Sequence, residues 1–140
     1  MSDGSIEPTP EQFAAFFGAK RSGPIHMLNL VRFRERAQYE DGRQATGEEA
    51  YSAYARESGE AFRRVGGKQH WIGRFELTFI GPASERWDRV FIAEYPSIDA
   101  FLTMLSDPAY QEAVKHRQAA VADSRLIRLE PAVPSAIFGD

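Results

Sequence analysis

A chain of 140 residues, 43% hydrophobic and 26% charged with a net charge of −3, has the balance of one globular domain and shows no basic stripe of the kind nucleic-acid binding needs. It has no cysteine, which excludes disulfides, thiolate zinc sites, iron–sulfur clusters and a Cys nucleophile. No stretch approaches the ~20 apolar residues of a spanning helix and the first residues form no secretory leader, so a cytoplasmic protein without membrane contact is expected.

Thr9-Pro10-Glu11-Gln12 reads as a helix start, with Thr9 as cap, Pro10 at the first helical position and Gln12 completing a capping box. Phe13, Phe16 and Phe17 then share a face and Gly18 ends the turn, which predicts an N-terminal helix over residues 8–18 docked on the rest. Pro24 to Arg34 is extended in character. Its odd positions (Ile25, Met27, Asn29, Val31, Phe33) and its even ones (His26, Leu28, Leu30, Arg32) are both largely apolar, which predicts a strand covered on both faces.

Thr46-Gly47-Glu48-Glu49 is a second capping box, followed at helical spacing by Tyr51, Tyr54, Ala55, Ser58, Phe62 and Val65, and closed by Gly66-Gly67. That glycine pair follows a helix, so it is a terminator and not a phosphate cradle. Lys68 to Ile80 alternates, with Trp71, Phe75, Leu77 and Phe79 against His70, Ile72, Arg74, Glu76 and Thr78. Together with Trp87 to Tyr95 it predicts a hairpin whose tip lies near Ser84 to Arg86. Pro96-Ser97 opens a helix through Phe101, Leu102 and Leu105, Asp107-Pro108 starts another carrying Tyr110, Ala113, Val114, Arg117 and Val121 on one stripe, and Arg125 to Glu130 is the last strand.

The order is a helix followed by β-α-β-β-α-β, the second α broken at Asp107-Pro108. This predicts an α+β chain with a ferredoxin-like core over residues 24–131: a four-stranded antiparallel sheet with its helices on one face. Residues 132–140 form a tail, and the whole of 1–140 is read as one domain. The uncovered face, expected to carry Met27, Val31, Ile72, Val90 and Ile92, is too apolar for water. A second copy is the simplest cover, so a homodimer is expected, with the tail pair Ile137-Phe138 reaching across.

Three stretches carry a resemblance to a known family: Met27-Leu28-Asn29-Leu30-Val31-Arg32-Phe33, the Tyr51 and Tyr54 helix ending in Gly66-Gly67, and Phe91-Ile92-Ala93-Glu94-Tyr95-Pro96-Ser97 with Ser106-Asp107-Pro108-Ala109-Tyr110-Gln111 and Arg117. From about Met27 to Glu130 the chain resembles the domain of unknown function 1330 family, within the dimeric α/β-barrel superfamily. The resemblance implies a ferredoxin-like protomer and a dimer, and no established activity.

Candidate chemistry lies where polar residues occupy strand positions. In the register above, Asn29, His70, Arg74, Glu94 and Arg128 all point away from the helices, and buried charges there must pair or line a wet cavity. On the functional reading Asn29 orients a carbonyl or carboxylate, His70 or Glu94 is the base, Arg74 holds an anion, and Tyr54, Trp71 and Arg128 are further ligand contacts. On the structural reading Arg74, Glu76, Glu94 and Arg128 form ion pairs that set register. Asn29 stands apart, a poor strand former among apolar neighbours. Tyr51, Tyr54 and Tyr110 fall on helix faces that meet the sheet, with Trp71 expected opposite. The superfamily resemblance implies that such Tyr, Trp and Asn side chains serve cofactor-independent oxygenases, while the same residues also make ordinary core.

His26, His70 and His116 are far apart in sequence with no i, i+4 pair, so neither a metal site nor a cofactor is expected. Superfamily analogy alone would make His116 a haem ligand. Two functional readings stay open: a cofactor-independent enzyme, monooxygenase- or isomerase-like, acting on a small hydrophobic or carboxylate compound, and a non-catalytic ligand-binding or structural homodimer.

Overall fold

A computed structural model describes residues 4–135 and Ile137. Its elements run α1 (Pro10–Gly18), β1 (Ile25–Phe33), α2 (Gly47–Arg64), β2 (Lys68–Gly73), β3 (Arg89–Tyr95), α3 (Ile98–Ser106), α4 (Pro108–Ala120) and β4 (Val121–Leu129). The sheet has the order β2-β3-β1-β4 with every neighbouring pair antiparallel, the ferredoxin-like arrangement expected from the element order. None of the described helices is long and apolar enough to cross a membrane.

Local chemistry starts each helix. The Thr9 hydroxyl accepts from the Gln12 N–H at 3.1 Å while the Gln12 side chain accepts from the Thr9 N–H at 3.0 Å. Thr46 and Glu49 repeat the exchange at 3.0 and 2.9 Å. Asp107 caps α4 through the Ala109 N–H and also pairs with Arg64, tying the end of α2 to the start of α4. Gly66 ends α2 with φ of 86°, a left-handed conformation open to glycine at little cost.

Pairing partners share a sheet face, so the register decides what each side carries. Met27 lies opposite Ala93 and Arg128, and Leu28 opposite Ile92 and Ile127. The odd residues of β1 therefore face the helices. Ile25 and Met27 pack with Ala61, Ala93, Tyr95, Phe101 and Met104, and Val31 packs with Ala50, Tyr51, Ala120 and Val121. Helix α1 joins this layer through Phe16, whose ring lies 5.2 Å from that of Phe101.

The expected content of the other face needs correcting. Met27 and Val31 are core residues on the helix side, and Ile72, opposite Phe91, is on that side too. The face without helices instead carries Leu28, Leu30, Val90, Ile92, Ile127 and Leu129. It is still apolar, and Trp71, 50% exposed, lies beside Ile92. β1 is apolar on both faces, so alternation alone could not choose its phase.

Strand β2 also differs. It ends at Gly73 rather than Ile80, and a bulge between Gln69 and Trp71 inverts its alternation, moving Trp71 from the expected helix side to the open side. Residues 74–88 form a long excursion in which Leu77, Phe79 and Ile80 are exposed. Trp87, expected in β3, precedes it and is buried with the Arg125 guanidinium over its ring. Ile137 is exposed, and Phe138, its expected partner at a dimer contact, lies outside the described residues.

Candidate functional site

A cavity of about 1500 Å³ opens between the covered face of the sheet and the helices. Its floor includes Asn29, Phe91 and Arg128, and its roof includes Tyr51, Tyr54 and Tyr110. The N-terminal segment forms one wall. The Gly4 N–H donates to Ala122 O at 3.1 Å, the Ser124 hydroxyl donates to Ser5 O at 2.6 Å, and Arg117 donates to Ile6 O at 2.6 Å. Residues 4–6 are thereby stitched to β4 and α4, and α1 is held beside them.

Asn29 reaches this site because it is an odd residue of β1. Its amide nitrogen donates to Met27 O at 3.0 Å, which fixes the carboxamide. Among the described residues nothing bonds its oxygen or its second N–H, and the group borders the cavity. The Tyr54 and Tyr110 hydroxyls lie 2.9 Å apart, bridging α2 and α4. Burial raises the Tyr54 phenol well above its ordinary value, and the neighbouring Tyr110 and Tyr51 push the same way. Burial likewise pushes Tyr51 up to about 12, against the opposing charge of Arg117, and raises Tyr95. These phenols stay protonated at neutral pH, so Tyr51 and Tyr54 act as O–H donors rather than bases.

The expected polar set does not form one site. Asn29, Tyr54 and Arg128 border the cavity on the helix side. Arg128 donates to Phe16 O at 3.3 Å and Ala19 O at 2.7 Å with its guanidinium over the Phe16 ring, so it anchors the end of α1. His70 and Glu94 lie on the open face, where Glu94 is opposite His26. Trp71 is on that face as well, and Arg74 is exposed beyond the end of β2. The opposite parity of β1 accounts for Asn29 and Arg128, the bulge in β2 for Trp71, and the end of β2 at Gly73 for Arg74.

Glu94 gathers a second cluster. Its Oε1 is 3.1 Å from His26 Nε2 and 3.4 Å from His70 Nδ1, and its Oε2 is 3.7 Å from Lys68 Nζ. The two imidazole rings lie 4.5 Å apart. His26 was not singled out by spacing because the cluster is built from three strands; only the β1–β3 register, Ile25 opposite Tyr95, brings it to Glu94. His116 is buried and spends both ring nitrogens on Tyr39 Oη at 2.6 Å and Glu57 Oε1 at 3.1 Å, which leaves none for haem. Sequence spacing also passed over Arg117, whose guanidinium spans Ile6 O and Ser124 Oγ at the cavity wall.

The family model described as domain of unknown function (DUF1330) matches residues 42–130. The crystal structure of RPA0582, a protein of unknown function from Rhodopseudomonas palustris, is 63% identical over 94% of this chain and 99% of that one, with a TM-score of 0.90. Its methylated form gives 64% identity, 94% and 97% coverage, and 0.92. SnoaB, a cofactor-independent oxygenase from Streptomyces nogalater, shares the fold at 17% identity over 83% of this chain and 100% of that one, with a TM-score of 0.51. No curated protein matches the sequence.

Proposed function

The chain belongs to the DUF1330 family, and with its ferredoxin-like frame as the starting point we propose that it binds a small hydrophobic compound bearing a carbonyl or phenolic oxygen in the helix-side cavity, as a homodimer paired through the open sheet face. The observation that carries the reading is Asn29. Its carboxamide has one N–H bonded to its own strand and leaves its oxygen and second N–H facing the cavity among Met27, Phe91 and tyrosine rings, where a ligand oxygen or N–H can bond them. The Tyr54–Tyr110 hydroxyl pair adds a second polar point against an otherwise aromatic roof.

The Tyr51 and Tyr54 phenols and the Asn29 amide can stabilise negative charge developing on a ligand oxygen. This suits cofactor-independent chemistry through an enolate or phenolate of the substrate, of the monooxygenase or isomerase type. Binding without turnover is the second reading. It is favoured by the position of His70 and Glu94, the two side chains expected to supply a base, which lie on the other face of the sheet. The homodimer is supported by the row Leu28, Leu30, Val90, Ile92, Ile127 and Leu129, which none of the described helices covers.

A thermal-shift screen of phenols, quinones and aromatic carboxylates tests the proposal. A ligand at 100 times its dissociation constant adds about 2.7 kcal/mol of stability. At least one of these classes should raise the melting temperature of the wild-type chain and leave that of Asn29→Leu unmoved. A panel without effect, or a shift that survives in Asn29→Leu, would overturn it.

A further inference from the structure

Three strands converge on one point at the end of the open sheet face. His26 is an even residue of β1, Glu94 is its partner in β3, and His70 is the extra residue of the β2 bulge, with no residue opposite it. Each of the three offers one ligand atom, and these atoms all lie within 4.8 Å of one another. We propose that this triad binds a borderline divalent transition-metal ion of the zinc class, held by two imidazole nitrogens and one carboxylate oxygen.

The distances suit a bound ion as well as a plain ion pair. Zinc bonds to His nitrogen and carboxylate oxygen are about 2.0–2.2 Å, so neighbouring ligand atoms around a tetrahedral ion stand roughly 3.3–3.5 Å apart. The carboxylate oxygen already stands 3.1 and 3.4 Å from the two nitrogens. A small rotation of the half-exposed His70 brings the remaining nitrogen–nitrogen separation into the same range. Among the described residues the carboxylate oxygen is hydrogen-bonded by His26 alone, and the His70 nitrogen, 3.4 Å away, has no hydrogen bond to it. As a ligand set, each neutral imidazole gives a lone pair to the metal instead.

The donor set also fits the ion class. Imidazole and carboxylate suit zinc, cobalt and ferrous iron, and three protein ligands leave positions open for water or a further ligand. In the single chain His26 and Glu94 are mostly shielded, which lowers the competition from water, while His70 is half exposed. Lys68 pairs with the other carboxylate oxygen through a side chain that is itself largely exposed, so it can swing away as the ion enters. The site lies on the opposite side of the sheet from Asn29 and does not depend on the ligand reading of that cavity.

The test uses the full chain, stripped of metal with a chelator and titrated with Zn²⁺ by calorimetry and with Co²⁺ by visible absorption. The expected result is one ion per chain, with Co²⁺ d–d bands of a low-coordinate nitrogen–oxygen site. His70→Gln and Glu94→Gln should each weaken Zn²⁺ binding by about tenfold or more, since disturbing even the surroundings of a ligand costs that much. Asn29→Leu should bind Zn²⁺ as the wild type does. Circular dichroism of the two Gln variants separates loss of ligand from loss of fold; both change a group at the rim of the sheet, and a variant that unfolds is replaced by His26→Gln. Absence of the Co²⁺ spectrum, or Zn²⁺ affinity unchanged in folded ligand variants, would overturn the proposal.

Discussion

Asn29 and Glu94 stand on adjacent central strands of one sheet and serve opposite faces. Asn29 is opposite Phe91 and borders the helix-side cavity, whereas Glu94 is opposite His26 and gathers two imidazoles on the open side. A single sheet thus separates two polar sites that share no side chain. Perturbing one should leave the other intact.

Asn29→Leu should fold at least as well as the wild type. It removes one hydrogen bond to Met27 O, a net loss of about 1 kcal/mol, and offsets it by placing an apolar side chain against an apolar wall. Chemical denaturation gives the stability. A loss above about 3 kcal/mol would show that Asn29 serves the fold rather than a ligand.

Tyr54→Phe and Tyr110→Phe each delete one end of the same hydroxyl contact, 2.9 Å long. Each should cost about 1 kcal/mol, and the double variant little more than either single one, because the bond is lost once. A double-mutant cycle by urea denaturation measures the coupling. Additive losses would mean that the two hydroxyls act independently.

Acid should loosen the junction between α2 and α4. The Arg64 guanidinium bonds the Asp107 carboxylate and, with the Ala109 N–H, holds its pKa below the ordinary 3.8. The folded state therefore binds this proton less readily than the unfolded chain does. The stabilisation is in full force above about pH 4 and disappears as pH falls through the lowered folded value. Asp107→Asn keeps a cap for α4 but not the charge, so its urea midpoint should fall less steeply with acid than the wild type's. Equal slopes would contradict this assignment.

Much of the frame could be read from the chain. Both capping boxes, the break at Asp107-Pro108 and the stop at Gly66 are local chemistry, and local chemistry is written in consecutive residues. The sidedness of the site could not be read the same way. β1 is apolar on both faces, and its phase depends on which side receives α2 and α4, a tertiary fact. In β2 the bulge at His70 inverts the alternation within two residues, which sent Trp71 to the wrong face. His26 was passed over for the same reason, since its partners come from two other strands.

Ile92→Glu places a charge in the centre of the open sheet face, beside Leu28 on β1 and Trp71 on β2. If copies pair there, sedimentation should show a wild-type dimer at micromolar concentration and a folded monomer for this variant. A wild-type chain that sediments as a stable monomer would contradict the pairing.

The ligand cavity is tested most directly by two-dimensional ¹⁵N NMR of the labelled chain with the most stabilising compound from the phenol and quinone panel. The account predicts shifts of the Asn29 side-chain NH₂ pair and of the Tyr54 and Tyr110 amides, with the Glu94 and His70 amides unmoved. Shifts centred on Glu94 and His70, with Asn29 silent, would place binding on the opposite face and contradict it.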